Sequence, residues 1–259
     1  MCCLKSLLRF PGRHLAPGPA LHRSVAAVLL VLAFLVLGFA GCGGKSHATN
    51  TTEPPDARTV IFPSADGVTL SGRVFGSGTR GVVLAHMYPT DQSSWYATAA
   101  ELAGDGFLVL TFDFRGYGTS TGTKQIDRID EDLHAAVVEI RMLGAEKVGL
   151  VGASMGGTAA VIVAATDPVD AVVTLSAPVE FQGLSAREVV TRVRPPKLFM
   201  AAEGDEGAQG ARDMYRAAPE PREMELFPGT AHGTELLSGP GSEQVRARLF
   251  SFLLQHLGG

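Results

Sequence analysis

Short apolar runs alternate with amphipathic segments along the chain after residue 58. The apolar runs have the length of strands, and those from Gly81 onward consist almost wholly of Val, Leu, Ile and Phe. Runs of this kind are typical of strands that are covered on both faces. The predicted strands are Thr59–Phe62, Val68–Phe75, Gly81–His86, Phe107–Phe112, Lys147–Val151, Ala171–Leu175, Lys197–Ala202 and Met224–Phe227.

Most of the segments between these runs carry apolar residues at steps of three and four, which is the spacing of a helix with one buried face, whereas Met155–Thr166 is apolar nearly all round and should be buried. The predicted helices are Ser93–Gly104, Gln125–Leu143, Met155–Thr166 and Ser242–His256. Alternating strands and helices predict a mostly parallel sheet with helices on both faces. The pattern contains no internal repeat, and we expect residues 59–259 to form one α/β domain with eight strands.

The first 41 residues have a different composition. They contain four basic residues, no acidic residue, and an uncharged apolar run at Val25–Gly41, with small residues just before Cys42. This order is that of an export signal. The end of the run resembles the lipobox of bacterial lipoproteins, which implies cleavage, lipid attachment at Cys42 and anchoring on the outer side of the bacterial cytoplasmic membrane. An uncleaved transmembrane anchor is the alternative, because 17 apolar residues can just span a bilayer.

Residues 42–58 are rich in Gly, Ser, Thr, Asn and Pro, and they predict a flexible tether. Cys2 and Cys3 lie in the segment that cleavage would remove, so the domain would depend on its core and not on a disulfide. Processing would leave 18 basic and 26 acidic residues, a net charge of −8. That charge argues against nucleic acid as a partner and against adhesion to anionic lipid headgroups.

The motif Gly-Ala-Ser-Met-Gly at 152–156 is the first candidate for chemistry. It follows the predicted strand Lys147–Val151 directly and opens the predicted helix Met155–Thr166. A serine on such a turn is held in a strained conformation at the edge of the sheet, and the flanking glycines leave room for it. Ser154 is therefore the candidate nucleophile. The alternative is a glycine-bounded turn whose serine only caps the helix.

A serine hydroxyl is a weak nucleophile unless a base takes its proton. His232 lies in a glycine-containing loop directly after the predicted strand Met224–Phe227, and it is the candidate base. His134 and His256 fall within predicted helices, and His47 falls within the tether, where surface histidines are expected. An exposed loop histidine without a role is the alternative for His232.

A carboxylate must orient the imidazole and stabilise its charged form. Asp205 follows the predicted strand Lys197–Ala202 and is the candidate acid. Glu203 and Glu206 lie at the same strand end and are its rivals.

Taken together, these features resemble the α/β-hydrolase superfamily from about residue 68 to the end of the chain. The order nucleophile, acid, histidine is the order of that family. The loop that begins at His86 resembles its oxyanion loop, and Asp113–Gly118 resembles one of its turns. We expect Asp113 and Arg115 to form a charged pair that braces this turn, with substrate binding as the alternative.

The resemblance also implies an oxyanion hole made by the backbone N–H groups of Tyr88 and Met155. Met87 stands where many members have glycine. A Tyr and a Met as donors are also the pair in bacterial cutinases and polyester hydrolases, but Ala153 replaces the aromatic residue of polyester-degrading members, and their C-terminal disulfide is missing. The resemblance is therefore to the superfamily as a whole, which includes esterases, dienelactone hydrolases and cutinases.

The expected activity is hydrolysis of small-molecule or polymeric carboxylic esters through an acyl-enzyme. Thioesterase, amidase and peptidase activities remain open, because the same groups serve every acyl leaving group. A non-catalytic lipoprotein that uses the fold for binding is the alternative from another class. No cofactor or metal is implied, since the sequence has neither a His/Cys cluster nor a dinucleotide-binding motif.

The segment between the sixth and seventh predicted strands has only 21 residues. That is enough for one small helix, at Ser185–Arg194, but not for a cap domain. We therefore expect a minimal lid and an open cleft, with Tyr88, Trp95 and Phe181 as candidate wall residues; Trp95 and Phe181 are equally candidates for the core. Such a cleft favours short acyl esters, about C2 to C6, because a long chain finds little apolar surface to bury against.

Overall fold

The computed structural model of the chain describes residues 57–258. The predicted signal segment, the predicted lipidation site Cys42 and most of the predicted tether lie outside these residues. The strands are β1 Arg58–Pro63, β2 Thr69–Phe75, β3 Arg80–Ala85, β4 Leu108–Phe112, β5 Lys147–Ala153, β6 Ala171–Leu175, β7 Glu180–Phe181, β8 Leu184–Ser185, β9 Lys197–Ala202 and β10 Arg222–Phe227. The α-helices are α1 Tyr96–Gly104, α2 Ile129–Met142, α3 Met155–Ala164, α4 Gly207–Ala217 and α5 Ser242–Leu257.

Eight of the strands form one sheet in the order β1-β2-β4-β3-β5-β6-β9-β10. β2 pairs antiparallel with both β1 and β4, and all the other neighbours are parallel. The predicted eight-stranded, mostly parallel sheet is therefore confirmed. Every residue of β4 and β6 is buried, as the continuous apolar runs predict for strands with helices on both faces.

Two hydrophobic layers cover the sheet. One face packs against α2, α3 and α4, and the other packs against α1 and α5. Trp95 belongs to the second layer and is fully buried, so it is a core residue and not a wall of the cleft.

The sequence pattern did not predict α4. The buried face of this helix consists of Gly207, Ala208, Gly210, Ala211 and Met214, which are mostly too small to stand out as an apolar stripe.

The predicted small helix at Ser185–Arg194 was wrong. Leu184 and Ser185 pair with Phe181 and Glu180 in the β7–β8 hairpin, and only Val190–Arg192 form a single 3-10 turn. The short segment thus forms one hairpin and one turn.

The parallel strands bring four loops to one end of the sheet. β3, β5, β9 and β10 run in the same direction, and their carboxyl ends lead into the loops that carry the candidate residues. Crevices at the carboxyl ends of parallel strands are the usual ligand sites of such sheets. Between residues 57 and 258, no helix has the length and apolar character needed to cross a membrane.

Candidate active site

Ser154 occupies a sharp turn between β5 and α3. Its backbone has φ 48° and ψ −118°, a conformation that residues with a side chain rarely adopt and that typically costs about 1 to 3 kcal/mol. Its N–H donates a hydrogen bond of 2.8 Å to the carbonyl of Leu175. The turn is therefore held by the neighbouring strand, and it places Ser154 at the carboxyl edge of the sheet.

The two glycines of the motif are required by close backbone contacts. A Cβ on Gly152 would lie 2.2 Å from the carbonyl oxygen of Gly156. A Cβ on Gly156 would lie 2.4 Å from the carbonyl oxygen of Ala85, at the end of β3. The turn thus packs directly against the strand that leads into the predicted oxyanion loop.

His232 lies in the loop after β10, and its side chain is one quarter exposed. Its Nδ1 lies 2.8 Å from Oδ1 of Asp205. Its backbone N–H donates a hydrogen bond of 3.1 Å to Oε2 of Glu235, which holds the backbone of the loop at His232. The imidazole is therefore oriented by a side-chain contact and by its own backbone.

Asp205 is almost completely buried, with 3% of its side chain exposed. Its second oxygen, Oδ2, is buried and has no hydrogen-bond partner among the described residues. A buried carboxylate with few hydrogen bonds favours a positive charge on the group that it contacts. Glu203 and Glu206, its rivals at this strand end, are exposed, and neither forms a hydrogen bond with His232.

Ser154 and His232 line one cleft with a volume of about 280 Å³. No hydrogen bond joins the serine hydroxyl to the imidazole within the described part of the chain, and such bonds are often long in unliganded enzymes. A larger cavity of about 610 Å³ lies behind the loop of His232, but neither residue lines it. The smaller cleft is the candidate active site because both reactive groups face it.

The predicted oxyanion donors lie on either side of the elbow. Met155 is the first residue of α3, so its N–H has no carbonyl partner within the helix. In the facing loop, the carbonyl of Met87 accepts bonds from the N–H and the hydroxyl of Thr90, which closes a turn around Tyr88. The N–H of Tyr88 has no acceptor among residues 57–258. Both N–H groups are therefore available to a ligand.

The buried side chain of His86 holds the predicted oxyanion loop in place. Its Nδ1 lies 3.1 Å from the carbonyl of Met87, and its Nε2 accepts a bond of 3.1 Å from the N–H of Phe114. Burial lowers the pKa of His86 to about 4, so the ring is neutral at neutral pH. The neutral ring can donate at Nδ1 and accept at Nε2, which ties the predicted oxyanion loop to the turn that begins at Asp113.

The expected pair between Asp113 and Arg115 was wrong. Asp113 instead accepts bonds from the N–H and the side-chain amide of Gln92 and from the N–H of Thr119. Arg115 is fully buried and pairs with Asp132 of α2 at 2.7 Å. Asp113 and Arg115 each stabilise the turn, as expected. Their partners lie elsewhere in the chain, and the spacing of residues in the sequence does not predict them.

Phe181, one of the two residues left undecided between wall and core, lines the cleft. Tyr88 is exposed, and its ring centroid lies 5.9 Å from that of Phe181. Sequence reasoning did not predict five further lining residues, which are Ser176, Pro178, Glu180, Glu206 and Gly207. Glu206 had been considered only as a rival acid. Ser176 could have been found, because it directly follows the predicted strand Ala171–Leu175 and so lies at the same sheet edge.

No group of three or more His, Cys, Asp or Glu side chains that could hold a metal ion occurs within residues 57–258.

Comparison with known proteins extends these observations. A family model described as alpha/beta hydrolase fold matches residues 82–233, a range that includes Ser154, Asp205 and His232. The chain is 28% identical over 214 residues to the uncharacterized protein Rv2307c of Mycobacterium tuberculosis, covering 71% of this chain and 76% of that protein.

Solved structures share the fold at low sequence identity. The alpha/beta hydrolase GrgF from Penicillium sp. sh18 superposes with a TM-score of 0.69 at 19% identity, covering 78% of this chain and 99% of that one. The esterase Pf2001 of Pyrococcus furiosus gives a TM-score of 0.68 at 19% identity, covering 78% and 93%.

Proposed function

This chain belongs to the alpha/beta hydrolase fold family, and on that premise we propose that it is a serine hydrolase that cleaves carboxylic esters. The observation that carries the proposal is the convergence of Ser154, His232 and a buried Asp205 at one end of the sheet. The three groups follow three different strands. The backbone strain at Ser154 lowers the stability of the fold, and such strain is typical of functional sites and not of purely structural loops.

In the proposed first step, Oγ of Ser154 attacks the ester carbonyl while Nε2 of His232 takes the hydroxyl proton. The backbone N–H groups of Met155 and Tyr88 hold the oxyanion that forms. The carbon–oxygen bond to the alcohol then breaks, and His232 returns the proton to the departing alcohol. This leaves an ester between the acyl group and Ser154.

In the second step, His232 takes a proton from water, which attacks the acyl-enzyme. The carboxylic acid leaves and the proton returns to Ser154. Asp205 holds the imidazole through Nδ1 in both steps and stabilises its charged form. The reaction consumes one ester and one water, releases one alcohol and one carboxylic acid, and leaves the side chains unchanged.

The test uses a fluorophosphonate probe, which reacts covalently with an activated serine. We expect one label per chain, located by mass spectrometry at Ser154, and no label on Ser154→Ala. The rate of p-nitrophenyl acetate hydrolysis should fall by about 10⁴ or more in this variant. Ser251→Ala, a change at an exposed serine of α5, is the matched control and should react like the wild type. A label that persists on Ser154→Ala would overturn the proposal.

The same assay compares substrate classes. Matched acetyl esters, acetyl thioesters and acetyl anilides differ only in the leaving group, so their kcat/KM values show which class the cleft prefers. We expect the oxygen ester to be turned over best. If kcat/KM for the thioester or the anilide is tenfold or more above that for the ester, the proposed substrate class is wrong, but Ser154 can still be the nucleophile.

We further propose that the protein is exported and held at the membrane by a lipid on Cys42. The support is the order of basic residues, apolar run, small residues and cysteine in the sequence. The −8 charge of the processed chain fits a domain held by its anchor and not by attraction to anionic lipid headgroups.

A further inference from the structure

The cleft has an unbalanced charge. Two of its lining residues, Glu180 and Glu206, are carboxylates, and apart from the candidate base His232 none of its lining residues is basic. Glu180 lies 3.8 Å from Arg187, so its charge is partly compensated. The exposed side chain of Glu206 forms no hydrogen bond or ion pair with any described residue, so its charge can attract a cation in the cleft.

Part of the wall is aromatic. Phe181 lines the cleft, and its ring contacts the exposed ring of Tyr88 at 5.9 Å between centroids, with an interplanar angle of 50°. The face of an aromatic ring carries partial negative charge and attracts ammonium groups. Aromatic rings beside carboxylates are thus the chemical setting that favours a positively charged ligand group.

Ser176 provides an independent observation that points to a polar ligand. The residue is fully buried, has φ 55°, and lines the cleft. Its backbone is held by a bond of 2.7 Å from its N–H to the carbonyl of Met200, yet its hydroxyl has no partner among residues 57–258. Buried hydroxyl groups are usually hydrogen-bonded, so this one is available to a polar atom of a bound molecule.

From these three observations we propose that the cleft selects esters that carry an ammonium group near the scissile bond. This inference rests on the proposed ester hydrolysis and narrows its substrate class. Glu206 supplies the attraction, the rings of Phe181 and Tyr88 supply a face for the cation, and Ser176 contacts a polar atom of the ester. Esters with an anionic group are disfavoured, because the cleft has two carboxylates among its lining residues and no Lys or Arg.

The experiment compares two acetate esters of nearly equal shape. Acetylcholine carries a quaternary ammonium, and 3,3-dimethylbutyl acetate replaces its nitrogen by carbon. We expect kcat/KM for the cation to exceed that for the neutral ester by about tenfold, the product of the few-fold effects typical of one exposed ion pair and one exposed cation–π contact. The preference should shrink as salt concentration rises, because salt screens exposed charges.

Glu206→Gln keeps the size of the side chain and removes its charge. It should lower the ratio of cationic to neutral kcat/KM by about threefold. Glu243→Gln, an identical change at an exposed position of α5 outside the cleft, is the control and should leave the ratio unchanged. A wild-type ratio of one or less, or an equal fall of the ratio in both variants, would overturn the inference.

A second readout separates this inference from the proposed function. Choline and 3,3-dimethylbutanol are tested as protectors of Ser154 against the fluorophosphonate probe, a measurement that needs no turnover. Better protection by choline supports the cation site. Equal protection, with normal labelling and hydrolysis of the neutral ester, refutes the inference and leaves the hydrolase intact. No labelling of Ser154 and no hydrolysis of either ester would refute both.

Discussion

Asp205→Asn is the sharpest test of how the three candidate groups work together. The change replaces one oxygen by an NH₂ group of nearly the same size and removes the charge. In the folded protein, Oδ1 lies 2.8 Å from Nδ1 of His232, and the side chain is 3% exposed. Water therefore has little access through which to replace the lost interaction.

Two effects follow from this geometry. The positive imidazole that forms when Ser154 gives up its proton loses its buried counter-charge. If the NH₂ group faces Nδ1, the ring must also take the tautomer whose Nε2 carries a hydrogen, and that nitrogen cannot accept the serine proton. The corresponding change in a serine protease lowers kcat by about 10⁴, which equals about 5.4 kcal/mol of activation free energy. We expect a loss of the same order here.

The assay is kcat and kcat/KM for p-nitrophenyl acetate, together with thermal unfolding. Because Oδ2 of Asp205 is buried without a partner, removing the charge also removes a desolvation cost, so the midpoint of unfolding should fall little or not at all. Glu203→Gln alters an exposed carboxylate at the same strand end and is the matched control. The reasoning is refuted if Asp205→Asn keeps more than a tenth of the wild-type kcat, or if Glu203→Gln loses as much.

Further outcomes are expected. Gly156→Ala places a Cβ 2.4 Å from the carbonyl oxygen of Ala85 and should lower the free energy of unfolding by about 1 to 3 kcal/mol in urea titrations. Gly104→Ala, whose added Cβ meets no atom within 4 Å outside its own helix and its chain neighbours, should be neutral or raise the free energy of unfolding slightly. Burial lowers the pKa of His86 from 6.5 to about 4, so between these pH values the unfolded chain binds a proton that the folded chain does not. The contribution of His86 to the free energy of unfolding should therefore be constant above pH 6.5 and should decrease by up to about 3 kcal/mol as the pH falls towards 4. An unchanged pH slope in His86→Gln would contradict this. Across p-nitrophenyl esters from acetate to palmitate, kcat/KM should stop rising beyond about C6, while a preference for C12 to C16 or activation by micelles would refute the open cleft. Cys42→Ala should block acyl attachment and normal processing, and a mature wild-type N-terminus other than acylated Cys42 would contradict the lipid anchor.

The order of elements was predictable because it depends on neighbouring residues. Whether a run such as Ala171–Leu175 forms a buried strand is decided by consecutive apolar side chains, and the structure places β6 at those residues. The turn at Ser154 is equally local, since a serine with glycines two residues before and after it can only follow a strand and open a helix in a few conformations. Exceptions arise where the buried side chains are small, as in α4, because glycine and alanine leave a weak hydrophobic pattern.

The neighbours of each charged or aromatic group were decided by the tertiary structure. Three carboxylates follow β9 within four residues, and only the packing of the loop after β10 shows that Asp205 contacts His232. Arg115 pairs with Asp132 of α2, seventeen residues away, and not with Asp113 two residues before it. Side-chain partners are set by which strands pair and which helices cover them, and those contacts join residues far apart in the chain.

In the cleft, too, some residues could be predicted from the local sequence and others only from the tertiary structure. The sequence alone identified Ser154 and His232 as candidates, because each residue stands in a recognisable local setting. The walls of the cleft could not be assigned in that way, since Trp95 is fully buried in the core, while Phe181 lines the cleft from a hairpin that the pattern did not predict. Glu206 and Ser176 join the site only because β6 and β9 are neighbours in the sheet, and strand order is a property of the whole folded chain that no local pattern encodes.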